Sequence, residues 1–223
     1  MSDDFPQIEY NPLSFDQEEM KRRSQEFYDM MNRRRTVRKF KSEPFDRSIL
    51  ENVIKTASTA PSGAHKQPWS FCVVTNAELK HRIRELAEQE EYENYHGRMS
   101  DEWLEDLKPF GTDHVKEFLD LAPYLVIVFK EVYELTEDGK RRNNYYVNES
   151  VGIATGFLLA AIQNAGLASL THTPSPMNFL EKALGRPPNE RAYLLIPVGY
   201  PEDGVKVPDL KRKGLEKILD SYD

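Results

Sequence analysis

A basic run near the start of the chain, RRRTVRKF at 33–40, has the composition of a phosphate-binding segment. Guanidinium groups bind phosphate oxygens through paired hydrogen bonds, and a threonine hydroxyl adds one more donor. The candidate binding residues are Arg34, Arg35, Thr36 and Arg38. A solvated basic end of a helix has the same composition, so the run alone leaves both interpretations open.

A second candidate segment is the loop APSGAHKQPW at 60–69. Its Ser62-Gly63-Ala64 turn would expose backbone N–H groups, and glycine permits a ligand to approach the chain closely. An ordinary connection between a helix and a strand would also fit these residues. The loop becomes informative only in combination with other segments.

Two more candidate segments lie late in the chain. THTPSP at 171–176 follows an apolar run, and the ends of strands in α/β sheets are favoured ligand positions. The Thr173 hydroxyl could donate to a ring nitrogen, whereas β-propensity alone explains Thr171. VPDLKRK at 207–213 is a second basic cluster, remote in sequence from the first.

Hydrophobic periodicity predicts the elements that must position these segments. Helices are predicted at 17–35, from about Ser48, at 77–90, at 114–120 and, apolar on nearly every face, at 151–165. Strands are predicted in the apolar runs WSFCVVT, YLVIVFK, LASLTHT and YLLIPVGYP. Because strands alternate with helices, the sequence predicts a three-layer α/β (α+β) domain.

The segment 91–111 is polar with scattered aromatic residues, and we interpret it as a partly helical surface lid, called the lid below. The charged segment 131–146 is predicted to be exposed. Residues 1–16, with two prolines and little periodicity, are predicted to form an extended arm, and residues 214–223 a C-terminal extension.

Composition limits the classes of protein that the chain can represent. Its 223 residues carry a net charge of −7, which argues against broad nucleic-acid binding. The single cysteine, Cys72, excludes an intrachain disulfide and a cysteine-based zinc site. No apolar run approaches the roughly 20 residues of a membrane span, and the acidic N-terminus lacks signal-peptide features, so we expect a cytoplasmic protein without a membrane partner.

Together the four candidate segments resemble the nitroreductase family of FMN enzymes. That family has an R-R-[ST]-x-R motif, a P-S-x-x-x-x-Q-P-W loop and a late K-R pair. The chain matches them, in order, at Arg34, Arg35, Thr36 and Arg38; at Pro61, Ser62, Gln67, Pro68 and Trp69; and at Lys211 and Arg212. The resemblance covers about 17–213, which is the expected FMN domain.

The resemblance implies a fold and a cofactor site. It implies a mixed, mainly antiparallel central sheet flanked by helices, in an intertwined homodimer with FMN at the subunit interface. The loop at Ser62 would reach the flavin from the opposite subunit, and the Thr173 hydroxyl would bond to the flavin N5. The implied FMN-binding residues are Arg34, Arg35, Thr36, Arg38, Pro61, Ser62, Gly63, Thr171, His172, Thr173 and Arg212. His172 stands where we expect a threonine.

The lid narrows the resemblance to the branch of the family that removes halide reductively from halotyrosines. There an E-x-x-x-Y pair and a downstream lysine grip the amino-acid end of the substrate, and Glu91, Tyr95 and Lys116 match them. Glu91 would bind the ammonium, Lys116 the carboxylate, and Tyr95 would donate a hydrogen bond. The Ala64 backbone N–H would bind the phenolate, and Thr173 would be the catalytic residue. An exposed Glu and Tyr on a surface helix are the alternative.

The expected reaction converts 3-iodotyrosine or 3,5-diiodotyrosine to tyrosine and halide, with electrons from a reductase or NAD(P)H. A general NAD(P)H-dependent nitroreductase or quinone oxidoreductase would keep the FMN residues. It would lack the three residues that grip the amino-acid end, Glu91, Tyr95 and Lys116, called the clamp below. A flavin-binding module without turnover is a third possibility. Halotyrosine binding separates the first function from the other two.

Overall fold

A computed structural model of the protein describes residues 5–222. Residues 1–4 of the predicted arm and Asp223 of the predicted C-terminal extension therefore lie outside the described residues. The chain divides into two compact units, with the boundary between Arg34 and Arg35. The domain limits predicted from the sequence stay a prediction.

The first unit contains one helix, α1, Gln17–Asn32, among its described residues. The Asp16 side chain begins the helix by accepting a hydrogen bond from the Glu19 N–H at 2.9 Å. Glu19 also pairs with Arg22 and Arg23 at 2.7 Å, one helical turn further on. No residue of α1 is buried. The helix is shorter than the predicted 17–35.

The second unit is built on a four-stranded antiparallel sheet with the order β1-β2-β6-β5. Its strands are β1, Trp69–Val74; β2, Tyr124–Glu131; β5, Ala168–Ser169; and β6, Glu190–Gly199. Thr36 forms an isolated parallel bridge with Ser169, which adds the basic run to the sheet edge. The predicted antiparallel character of the sheet is confirmed.

Six further α-helices accompany the sheet in the described part of the chain. They are α2, Arg47–Ser58; α3, Ala77–Glu93; α4, Asp101–Leu107; α5, Phe118–Leu121; α6, Val147–Asn164; and α7, Asn178–Ala183. A π-helical turn, Asn94–Arg98, continues α3, and short 3-10 turns are present at Gly63–His65, Lys108–Phe110 and Leu215–Lys217.

Strand β2 shows how the three layers are held together. Its side chains alternate between the two faces of the sheet, as in any strand, yet every one from Tyr124 to Phe129 is buried. Val126 and Val128 pack with α2 and α6, whereas Leu125 and Ile127 pack with α3, α5 and α7. Burial on both faces explains the unbroken apolar run in the sequence, and the predicted three-layer fold is confirmed.

Three features differ from the sequence prediction. The charged segment 131–146 contains a small antiparallel hairpin, β3 (Tyr133–Leu135) with β4 (Arg141–Asn143). Helix α7 follows the Pro-rich turn and was not predicted. Lys116 lies in the turn before α5 rather than within a helix, and its N–H donates to the Glu88 carboxylate at 2.7 Å. No helix among residues 5–222 has the length and apolarity needed to cross a bilayer.

Candidate active site

A cavity of about 180 Å³ lies where the end of α3, the turn at Lys116 and the segment after β5 meet. Seven residues singled out from the sequence line it: Arg38, Glu91, Tyr95, Lys116, Thr171, His172 and Thr173. These residues come from four separate parts of the chain. Their convergence is a property of the fold that no single segment of the sequence reveals.

Helix α3 delivers Glu91 to the cavity from the hydrophobic core. Ile83, Ala87 and Glu91 recur at intervals of four, so they share one face of the helix, and all three are buried. The π-helical turn that follows ends with the Met99 N–H donating to the Asn94 carbonyl at 2.9 Å. This turn brings Tyr95 to the same cavity as Glu91.

Lys116 and Glu91 form a buried ion pair in the cavity wall. The Lys116 Nζ lies 3.4 Å from the Glu91 Oε2, and their side chains are 4% and 9% exposed. Lys116 Nζ also donates to the Asp113 carbonyl and lies 5.5 Å from the centre of the Tyr95 ring. The Tyr95 hydroxyl donates to the Thr112 carbonyl at 3.2 Å. The three predicted substrate-binding side chains therefore lie together.

The Lys116–Glu91 pair is looser than a well-formed charged hydrogen bond, which measures about 2.7–2.9 Å. Burial raises the pKa of Glu91, against the opposing attraction of Lys116. Burial likewise lowers the pKa of Lys116, and Glu91 opposes that shift. Both groups are therefore buried at a cost that their 3.4 Å contact only partly offsets, and a ligand with an ammonium and a carboxylate would bring each a closer opposite charge.

His172 is a buried neutral residue beside this pair. Burial lowers its pKa to about 3, and the nearby Lys116 and Arg38 cations act in the same direction. Its ring stands edge-on to the Phe118 ring, with centroids 5.4 Å apart. Its Nε2 is buried and has no hydrogen-bond partner among residues 5–222. A buried polar atom without a partner costs free energy, so a bound group could stabilise it.

The two basic clusters meet through Arg35. One guanidinium N–H of Arg35 donates to the carbonyl of Pro208, 173 positions later in the chain. This contact brings the segment with Lys211 and Arg212 to the basic run. Arg212 is exposed, and Arg34 is the last residue of the first unit. Arg35, Thr36 and Arg212 are not among the described residues that line the 180 Å³ cavity.

The predicted ligand loop at Pro61–Ala64 also contributes no lining residue to that cavity, as far as residues 5–222 show. It packs against the start of α6 instead. The Gly63 N–H approaches the Ser150 Oγ at 3.4 Å. A Cβ on Gly63 would lie 2.9 Å from both the Tyr145 carbonyl oxygen and the Tyr146 ring, so only glycine fits there.

Six cavity residues were not singled out as site residues from the sequence: Met99, Trp103, Leu107, Thr112, Phe118 and Leu170. Trp103 had a usable signal, because a tryptophan in a polar lid is expected to cover an apolar or aromatic ligand. Thr112 and Phe118 had none. Among the residues that the structure describes, no group of three or more His, Cys, Asp or Glu side chains could hold a metal ion.

Comparison with known proteins places the chain in a family. The Nitroreductase family profile matches residues 31–200. An iodotyrosine deiodinase of Haliscomenobacter hydrossis is 58% identical over 215 residues, covering 96% of this chain and 97% of that protein. The iodotyrosine deiodinase of Hydra vulgaris is 49% identical, covering 97% and 80% of the two chains. Human iodotyrosine deiodinase 1 is 47% identical, covering 95% and 75%.

Solved structures agree with the sequence relatives. An oxidized iodotyrosine deiodinase crystallised with FMN and 3-iodo-L-tyrosine superimposes with a TM-score of 0.75 at 34% identity, covering 88% of this chain and 98% of that one. A Bacteroides fragilis nitroreductase with bound FMN has a TM-score of 0.65 at 20% identity, covering 89% and 99%, which shows the shared fold alone. The chain therefore belongs to the nitroreductase family and, within it, to the iodotyrosine deiodinases.

Proposed function

We propose that this protein is an FMN-dependent reductive dehalogenase that converts halotyrosines, such as 3-iodotyrosine and 3,5-diiodotyrosine, to tyrosine and halide. The observation that carries the proposal is the convergence of Glu91, Tyr95 and Lys116 on a cavity that Arg38 and Thr173 also line. A nitroreductase for simple aromatic substrates has no use for a buried acid and a buried amine at this position.

The clamp would act by exchange of ionic partners. Without ligand, Glu91 and Lys116 face each other at 3.4 Å. A bound amino acid would place its ammonium against Glu91 and its carboxylate against Lys116, while the Tyr95 hydroxyl adds a donor. Each buried charge then gains a closer partner, and the low dielectric of the cavity strengthens both contacts. The substrate ring is thereby held in one orientation.

The residues present fit FMN. Arg35 and Arg38, together with Arg34 and Arg212 as implied by the family motifs, would hold its phosphate and ring edge. The contact between Arg35 and Pro208 supports this assignment, because it places the segment that carries Lys211 and Arg212 beside the first basic run. Thr173, exposed at the cavity, would donate to the flavin N5. FMN, when bound and reduced, supplies the electrons that release the halide.

A homodimer would complete the site. Helix α6 presents Ile153 and Phe157, 42% and 39% exposed, on its outer face. The loop with Ser62, Gly63 and Ala64 packs against the start of the same helix. A partner subunit on α6 would cover these side chains and bring its loop to the flavin. The Ala64 N–H would then bind the substrate phenolate, which an ortho halogen makes easier to form.

The lid would exclude water from the reacting ring. Met99 and Trp103 belong to the lid and line the cavity beside Glu91 and Tyr95. Their apolar surfaces would cover the substrate once the amino-acid end is clamped. Exclusion of water would lower the local dielectric and so strengthen the contacts of Glu91 and Lys116 with the substrate.

The decisive experiment is to purify the protein and measure its absorbance spectrum and halide release. We expect a yellow protein with a flavin spectrum that releases iodide from 3-iodotyrosine when dithionite is added. Quenching of flavin fluorescence by 3-iodotyrosine but not by tyrosine would separate this function from flavin storage. A colourless protein that takes up no flavin would contradict the proposal.

The electron donor needs its own test. Rapid oxidation of NAD(P)H with a nitroaromatic or quinone, and no iodide release, would favour a general flavin oxidoreductase instead. Iodide release with dithionite and little turnover with NAD(P)H alone would indicate a separate reductase. The cytoplasmic location expected from the sequence stays a prediction.

A further inference from the structure

The lid is attached to the segment that carries Thr173 by hydrogen bonds to one carbonyl group. The Asn94 side-chain amide donates to the Ser175 carbonyl at 3.0 Å. Arg98, the last residue of the same π-helical turn, approaches the same oxygen through its Nη1 at 3.4 Å. Arg98 is also held by Glu90 at 2.6 Å. We call the contacts of Asn94 and Arg98 with Ser175 the latch.

The position of Asn94 gives the latch its importance. Asn94 lies three residues after Glu91 and directly before Tyr95, so the two lid residues of the clamp flank it in sequence. Only 8% of Asn94 is exposed, and its side-chain amide donates to the backbone carbonyl two residues after Thr173. A second cavity of about 360 Å³, lined by Asn94, Arg98, Thr173 and Ser175, adjoins the first there.

We propose that Asn94 is a positioning residue, supported by Arg98, which fastens the lid to the Thr173 segment and so sets the affinity for substrates that carry an amino-acid group. The inference rests on the proposed function, because it assigns a role to Asn94 in the same site. The hydrogen bonds of the Asn94 side chain go to the Ser175 carbonyl and to Arg98. Asn94 acts by fixing the π-helical turn that follows Glu91 and carries Tyr95.

The geometry explains why the effect should depend on the substrate. A halotyrosine needs Glu91 and Tyr95 in place to hold its ammonium and carboxylate. A halophenol without the amino-acid group needs only the ring-binding part of the site. Loosening the latch lets the lid move away from Thr173, so the clamp loses its alignment. The contacts between the substrate ring and the rest of the site do not depend on Asn94, so halophenol binding should change little.

The test uses Asn94→Leu, which keeps the side-chain size and removes the amide donor, in the FMN-loaded protein. The matched control is Glu93→Leu, the same replacement one residue earlier at an exposed position. Dissociation constants for 3-iodotyrosine and 2-iodophenol are measured by quenching of flavin fluorescence. We expect Asn94→Leu to weaken 3-iodotyrosine binding roughly tenfold, the scale of one buried hydrogen bond, and to change 2-iodophenol binding by less than about twofold.

Steady-state kinetics and hydrogen exchange complete the test. Asn94→Leu should raise KM for 3-iodotyrosine more than it lowers kcat, and Arg98→Met should raise KM about threefold as a milder change at a half-exposed side chain. Amide exchange across 91–110 should quicken in Asn94→Leu without any ligand, and not in Glu93→Leu.

The outcomes are distinguishable. Equal loss of both ligands, or unchanged lid exchange and unchanged 3-iodotyrosine affinity, would overturn the latch. If Asn94→Leu does not fold, Arg98→Met decides by the same two readouts. If the unaltered protein binds no halotyrosine, the proposed function fails, and the exchange measurement still shows whether Asn94 fastens the lid.

Discussion

Two ion pairs with a buried carboxylate differ in how completely the partners satisfy each other. Arg186 and Glu190 make two hydrogen bonds of 2.6 Å, and Arg186 also donates to the Ser70 hydroxyl at 3.0 Å. Lys116 and Glu91 face each other at 3.4 Å in the cavity wall. Hydrogen bonding to Glu190 raises the pKa of Arg186, whereas burial lowers the pKa of Lys116.

The difference separates a pair with close mutual hydrogen bonds from a pair whose partners are farther apart. Arg186 satisfies both carboxylate oxygens of Glu190, and its bond to Ser70 links the start of β6 to β1. Lys116 and Glu91 are each buried at a cost that their mutual contact only partly offsets. Such a pair can exchange partners with a zwitterionic ligand. The following substitutions test this distinction, from the largest expected effect to the smallest.

Arg186→Met should destabilise the fold by about 3–4 kcal/mol, because it leaves the Glu190 carboxylate buried without its partner. Urea unfolding followed by circular dichroism measures the loss. The affinity of the folded protein for 3-iodotyrosine should stay within about twofold of the original. A loss below about 1 kcal/mol would show that the pair is not structural.

His172→Thr should reduce the acid sensitivity of folding. The folded-state pKa of His172, about 3, lies below the ordinary value of 6.5. Its contribution to stability is therefore fully present above pH 6.5, is lost progressively as the pH falls from 6.5, and is gone once the pH has fallen through 3. The original protein should lose about 3 kcal/mol more than His172→Thr between pH 7 and pH 4.

Urea unfolding at both pH values measures the His172 contribution, and His65→Thr, at an exposed loop histidine, is the control. Equal losses in His172→Thr and the original protein would mean that His172 takes up its proton freely in the folded state. In that case the cavity would be more hydrated than its burial suggests, and the contrast between the two ion pairs would weaken.

Glu91→Gln should weaken 3-iodotyrosine binding by roughly 1–3 kcal/mol, because the substrate ammonium loses a charged partner. The free energy of unfolding should fall by less than in Arg186→Met, since Lys116 Nζ keeps its bond to the Asp113 carbonyl. Fluorescence quenching and urea unfolding measure the two effects. Unchanged affinity would refute the clamp.

Arg47→Met should change stability by less than about 0.5 kcal/mol. Arg47 and Glu51 pair at 3.2 Å on α2, but their side chains are 68% and 54% exposed, so water and salt screen the contact. The same arginine-to-methionine change as at Arg186 makes it a matched control. A loss near that of Arg186→Met would show that burial of the carboxylate is not what distinguishes the pairs.

Much of the fold could be predicted because its core elements carry strong local patterns. The apolar runs at β1, β2 and β6 and the capped helices α2 and α3 were identified from the sequence. The β3–β4 hairpin was missed because its residues are charged and show no apolar alternation. One of its stabilising contacts, the 2.8 Å ion pair between Glu134 and Lys66, also joins residues 68 positions apart. Helix α7 was missed because it has only six residues, too few for a helical periodicity to show in the sequence.

The site residues that could be predicted from the sequence are those that belong to a family motif. Glu91 and Tyr95 were paired by their spacing, yet nothing local indicates that Lys116 approaches them from a turn beyond the lid. In the sequence Asn94 looks like any polar residue of the lid, because its hydrogen-bond partner is a backbone carbonyl 81 positions away. Long-range contacts to main-chain atoms have no signature in a single sequence.

Helix α3 begins over the core at Ala77 and ends at Glu93, so Glu91 stands in the last turn of an element anchored by Ile83 and Ala87. The part beyond residue 99 has its own helix and its own cap at Ser100. The chain therefore separates Glu91, the residue proposed to bind the substrate ammonium, from the segment that would cover the substrate. Protein engineers seeking a dehalogenase for bulkier rings could replace residues 100–110 and keep recognition of the amino-acid end intact.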